Sequence, residues 1–121
     1  MGVLLMPLQI QKRASYILVH GSGLATLAEA QHHFRELSTL LVAERRTAQG
    51  VCLMIDLRLA EAHPPEVAGH IEKVLPVLYR KNDRVAVVVR DSARKNHTKR
   101  SHDPLYSDVF LTQEAAEAYL A

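Results

Sequence analysis

Residues 51–58 read Val51-Cys52-Leu53-Met54-Ile55-Asp56-Leu57-Arg58. Apolar side chains run from Val51 to Leu57, interrupted only by Asp56. A strand with one wet face would alternate, so this run fits a strand buried on both faces, as central parallel strands are. Arg84-Val85-Ala86-Val87-Val88-Val89 repeats the pattern. Between the two, Pro64 and Pro65 open a helix, because proline is tolerated in the first turn. Val67, Ile71, Val74, Leu75 and Leu78 give that helix its apolar face. Pro76 removes one of its backbone hydrogen bonds, which predicts a kink or a shortened helix. Strand, helix and strand in this order make a parallel unit with a right-handed crossover.

The flanks extend the unit. Val3 to Ile10 is apolar and reads as a strand or an ordered arm, and Gln11 to Ala14 as a turn. Tyr16-Ile17-Leu18-Val19-His20 reads as a strand ended by Gly21-Ser22-Gly23. Together they predict an N-terminal antiparallel hairpin. Thr26 with Glu29 forms a capping box at the head of a long helix. Leu27, Phe34, Leu37 and Leu41 mark its buried stripe, with Glu29, His33, Glu36 and Glu44 largely off it. Asp91 to Asp108 has no apolar stripe and reads as a polar, basic loop. Val109-Phe110-Leu111 is a short last strand, and Thr112 caps a final helix with Ala116, Tyr119 and Leu120 on its apolar side. The expected fold is α/β, a mostly parallel sheet with helices packed on it. No linker or repeat divides the chain, so residues 1–121 are expected to form a single domain.

Composition narrows the function classes. The 121 residues are 48% hydrophobic and 23% charged, with a net charge of only +2. That excludes a chain that is disordered by composition or basic throughout, and nucleic acid is not an expected partner. The charge is uneven, however. Between Arg80 and Arg100 eight cations meet two acids, a formal +6 that leaves −4 for the rest. A single cysteine rules out an internal disulfide and a cysteine-only metal cluster. Residues 1–8 lack the basic leader and cleavage site of a signal peptide, and no apolar run is long enough to span a membrane. A cytoplasmic protein is expected.

Four segments in order carry a family resemblance: Gly21-Ser22-Gly23-Leu24-Ala25-Thr26-Leu27 before the long helix, Ile55-Asp56-Leu57-Arg58, Asp83-Arg84-Val85-Ala86-Val87-Val88, and Val109-Phe110-Leu111-Thr112 leading into Glu114-Ala115-Ala116-Glu117-Ala118-Tyr119-Leu120. Over Ala14 to Leu120 the chain resembles the SpoIIAA-like fold group, which holds STAS domains and CRAL-TRIO-like bacterial proteins. Tyr119 stands where tryptophan is usual. The resemblance implies a regulatory, protein-docking module. Antagonists of anti-sigma factors in this group carry a phosphorylatable serine turn after the central strand. Here Arg58-Leu59-Ala60-Glu61-Ala62-His63-Pro64-Pro65-Glu66 holds no serine or threonine, so that switch is chemically impossible. Other members of the wider group resemble carriers of apolar small molecules, which transfers as fold analogy only.

The residues give three candidate surfaces. Asp56, Arg58, His63, Glu66 and Asp91 lie beyond strand C-termini, where open α/β sheets bind ligands, and form a candidate docking or pocket edge. Arg90, Arg94, Lys95, Lys99 and Arg100 form a candidate anion-binding segment, suited to an anionic membrane surface or a phosphorylated protein. Leu59, Val67, Ile71, Leu75 and Leu78 are candidates to line an apolar pocket for a small apolar or amphipathic molecule. No metal or cofactor is expected. Adjacent His32 and His33 diverge by about 100° on a helix, and no zinc-binding motif occurs. Cys52, inside an apolar strand, reads as a small core hydrophobe. Gly21-Ser22-Gly23 lacks the remainder of a phosphate-loop motif. No set of residues forms a catalytic constellation, so a non-enzymatic module is expected, with an unidentified protein as partner and a homodimer through the apolar N-terminus as an open possibility.

Overall fold

The computed structural model describes residues 8–121. Their order is β1 (Leu8–Lys12), β2 (Ile17–Gly23), α1 (Leu27–Arg45), β3 (Cys52–Ala60), α2 (Pro65–Leu78), β4 (Arg84–Val88), α3 (Ser92–Arg100), β5 (Ser107–Phe110) and α4 (Gln113–Leu120). The strands form a five-stranded sheet in sequence order. β1 pairs antiparallel with β2, and β2 through β5 pair in parallel. The expected α/β architecture with its N-terminal antiparallel hairpin is the one observed.

The period of two along the strands separates two cores. Val19, Leu53, Val85, Val87 and Val109 face Leu37 and Leu41 of α1 and Leu75 and Leu78 of α2. Met54, Ala86 and Val88 face the other way, against Ala116 and Leu120 of α4. β3 and β4 are therefore covered on both sides, which is why their sequences are apolar without alternation. Truncating a fully buried leucine such as Leu37 or Leu41 would cost about 2–5 kcal/mol.

Helix ends follow local chemistry. Thr26 Oγ1 accepts from the Glu29 amide at 3.1 Å, and Glu29 Oε1 accepts from the Thr26 amide at 2.8 Å, completing the expected capping box. α2 starts at Pro65 and runs through Pro76 before ending at Leu78. Asp83, fully buried, ties the base of the sheet together. Its carboxylate accepts from the Val51 amide at 3.1 Å and the Arg80 amide at 2.8 Å, and it pairs with the Arg45 guanidinium. Gly50 passes so close to the turn before β4 that an added Cβ would lie 2.0 Å from the Asn82 carbonyl oxygen.

Several sequence expectations are corrected. The polar loop expected over Asp91 to Asp108 contains helix α3, started by the Asp91 side chain, which accepts from the Arg94 amide at 2.8 Å. No residue of α3 is buried, so hydrophobic periodicity carried no trace of it. β1 continues to Lys12, and the reversal falls where the Arg13 amide donates to the Tyr16 carbonyl. β2 runs through the expected glycine turn to Gly23, whose φ of +59° is the left-handed conformation glycine permits. His33, placed off the stripe of α1, is buried. The portion of the first apolar segment before Leu8, with any dimer contact through it, lies outside the described residues.

Candidate functional site

Between the sheet and helices α1 and α2 the packing leaves a cavity of about 190 Å³. Val19, Ile55, Leu57 and Val87 form its sheet side. Ala30, His33, Phe34 and Leu37 of α1 and Ala68, Ile71, Glu72 and Leu75 of α2 form its helical sides. Ala30 and Ala68 occupy lining positions where larger side chains would fill the space. The remaining boundary is of another character. His63, on the β3–α2 connection, and His97, Thr98, Ser101 and His102, at the end of α3 and just beyond, supply imidazoles and hydroxyls. Most of the wall is therefore apolar, with polar side chains where the β3–α2 connection and α3 border it.

Burial sets the charge of that space. Desolvation lowers the His33 pKa to about 4, against the opposing pull of Glu36. Burial also lowers the pKa of His63, and that of His102, where a hydrogen bond to the Thr98 carbonyl partly opposes it. All three rings are neutral at pH 7. His63 Nδ1 and His70 Nε2 are buried with no hydrogen-bond partner among the described residues. The His70 ring sits 5.9 Å from that of Phe34.

The proposed edge residues do different jobs. Asp56 and Arg58 form a two-pronged ion pair with N–O distances of 3.0 and 2.9 Å, beside the irregular pairing of β2 with β3. Burial works to raise the Asp56 pKa, but the Arg58 hydrogen bonds and charge outweigh it and hold the carboxyl below its ordinary value. Both charges are thus satisfied by each other. His63 lines the cavity, Glu66 is exposed in the first turn of α2, and Asp91 caps α3. The edge is not one cluster.

The basic segment is mostly the surface of α3. Arg94 donates to the Ala60 carbonyl at 3.5 Å, and Lys99 lies 3.8 Å from Asp108. Arg90, Lys99 and Arg100 are exposed, and Lys95 is half-buried. Of the apolar candidates, Ile71 and Leu75 line the cavity. Val67 and Leu78 are buried but are not among its lining residues, and Leu59 is 63% exposed. Leu59 turns outward where the pairing of β3 slips by a residue, which no strand pattern predicts. His33 and the inward face of α3 were missed. For α3 the usable signal is spacing: residues 97, 98, 101 and 102 share one helical face.

Among the described residues, no group of three or more His, Cys, Asp or Glu side chains is placed to hold a metal ion. Likewise, no helix is long and apolar enough to cross a membrane. Cys52 is half-buried, its sulfur 3.8 Å from the Leu120 carbonyl oxygen.

No protein-family model and no curated protein sequence matches the chain. Solved structures do. An uncharacterised protein of the DUF3478 family from Shewanella loihica PV-4, with a SpoIIAA-like fold, superposes with a TM-score of 0.70 at 16% identity, over 100% of this chain and 99% of that one. The anti-sigma factor antagonist SpoIIAA in its unphosphorylated form gives 0.58 at 9% identity, over 92% and 94%. At such identities the likeness is one of architecture, and with the strand order and pairing above it shows that this chain has a SpoIIAA-like fold.

Proposed function

We propose that the chain is a non-enzymatic binding module whose site is the cavity between α1, α2 and the sheet, holding a small apolar or amphipathic molecule. The cavity itself carries this reading. An apolar cavity of about 150 Å³ is enough to bind benzene, and this one is about 190 Å³. The test is a titration of the isotope-labelled protein with ethylbenzene, followed by amide shifts. Shifts focused on α1, α2 and β3, abolished by Ala68→Leu, are expected. An unperturbed spectrum at ligand saturation would overturn the reading.

A second reading, docking of another protein, is favoured by a separate observation. Leu59 near the end of β3, and Leu24 and Leu111 just past the ends of β2 and β5, are 63%, 57% and 41% exposed. The fold group includes an anti-sigma factor antagonist, and a regulatory module of this kind would here lack the serine switch. Leu59→Glu with Arg58→Glu should remove a partner retained by the native chain. An unchanged set of partners would refute docking at this edge.

A further inference from the structure

The polar side chains on the boundary of the cavity restrict what can occupy it. Among the described residues the lining includes no lysine or arginine, and its one carboxylate is that of the exposed Glu72. A carboxylate or phosphate drawn in among these side chains would give up water without gaining a cation, which disfavours it against a neutral group. A wholly apolar molecule would leave the imidazoles unanswered. His63 Nδ1 is already buried without a partner among the described residues, and such a group carries a penalty until something bonds to it. At His102, Nδ1 lies 3.0 Å from the Thr98 carbonyl oxygen. A carbonyl only accepts, so Nδ1 holds the proton and Nε2 is left as an acceptor. Thr98 and Ser101, also among the lining residues, carry hydroxyls that both donate and accept.

We propose that the ligand is a neutral, largely apolar molecule with a single hydroxyl, an alcohol or phenol of on the order of ten non-hydrogen atoms, with that hydroxyl bonded to one of the boundary imidazoles, His63 or His102. A hydroxyl can donate to an imidazole nitrogen and accept from Thr98 or Ser101 at once, which neither an anion nor a hydrocarbon can do. The proposal rests on the reading of the cavity as a ligand site and adds the class of ligand.

The test titrates the full chain with three probes that share a phenylethyl-type body: ethylbenzene, 2-phenylethanol and phenylacetate. 2-Phenylethanol should bind about fivefold more tightly than ethylbenzene, the worth of one net neutral hydrogen bond, and phenylacetate more weakly than either. The alcohol should also move the imidazole nitrogen resonances of His63 or His102, which ethylbenzene leaves in place. The ratio of alcohol to ethylbenzene affinity should fall toward parity in Thr98→Val where the hydroxyl sits at His102, or in His63→Phe where it sits at His63; an unchanged ratio in both variants overturns the assignment. Thr98 is only partly buried, so its variant keeps the test open should His63→Phe misfold. Ethylbenzene binding as tightly as the alcohol, or phenylacetate binding best, overturns the hydroxyl assignment and leaves the cavity reading standing. Binding of none of the three overturns both.

Discussion

Acid should unfold this protein through its cavity wall before it reaches the carboxylates. His33 is 5% exposed, and its pKa falls from 6.5 to about 4 because burial disfavours the imidazolium. Glu36 pulls the other way, while neighbouring His32 adds to the lowering. In the unfolded chain the ring takes a proton near pH 6.5; in the folded chain it resists until about pH 4. Between those values the unfolded state binds more protons, so stability falls as pH falls. At about 1.4 kcal/mol per pKa unit, the loss from His33 approaches about 3 kcal/mol by pH 4, with roughly two-thirds of it present by pH 5. His63 and His102, also lowered, act in the same direction. Asp56 does not blur the window: its carboxyl is lowered from 3.8, so the stability it contributes is lost only below that value. The assay is urea unfolding at half-unit steps from pH 7 to 4, on the native chain and on His33→Phe. The variant's curve should be flatter over the window by about 3 kcal/mol. Parallel losses in the two proteins would refute a buried neutral imidazole at position 33.

Other perturbations test the frame. Asp83→Ala strands the Val51 and Arg80 amides and the Arg45 guanidinium, and should cost about 3–5 kcal/mol in urea unfolding, as removing one partner of a buried ion pair does. Gly50→Ala forces a methyl group to 2.0 Å from a backbone oxygen and should cost about 3 kcal/mol or more. Gly69→Ala, with nothing within 4 Å of the new methyl in the interior of α2, should stabilise by about 0.5–1 kcal/mol; equal effects at the two glycines would refute the close approach at Gly50. Asp91→Ala removes the cap of α3 and should speed amide exchange across residues 94–98 with about 1 kcal/mol of global cost at most. Unchanged exchange there would show that the cap does not hold the helix.

How far the sequence carried depended on where burial leaves a mark. β3 and β4 are enclosed by two cores, and enclosure shows as unbroken apolar runs, so the central parallel unit was legible from Val51 to Val89. The capping box at Thr26 and Glu29 was legible because its geometry is local. His33 was misjudged because α1 is buried over a wider arc than its leucines mark: Ala30, His33, Leu37 and Leu41 are all buried. Imidazole counts as polar in any pattern, yet here it packs edge-on against Phe34, ring centres 5.0 Å apart. The cavity was only half legible. Ile71 and Leu75 lie on the predicted apolar face of α2, but a void is made by what is missing, here the small side chains Ala30 and Ala68 from two helices. Bringing those positions together is a property of the tertiary fold.

The uneven charge of the sequence also takes on a different meaning in three dimensions. The stretch from Arg80 to Arg100 looked like one cationic surface awaiting an anion. Several of its cations are already engaged within the chain. Arg84 donates to the Tyr119 carbonyl at 3.1 Å and lies over the Tyr119 ring, fixing the end of α4 to the sheet. Arg94 reaches the Ala60 carbonyl and Lys99 approaches Asp108, so each ties α3 to a strand or its end. A helix with no buried residue has no hydrophobic anchor, and these contacts with the Asp91 cap are what hold it beside the cavity, where it contributes His97 and Thr98 to the lining. Surface ion pairs and single hydrogen bonds are individually weak, about 0–1 kcal/mol, so α3 is fastened by polar contacts where α1 and α2 are fastened by the core. The basic character of the segment fits that role, because side chains as long as Arg94 and Lys99 can reach neighbouring strands from a helix that buries no residue.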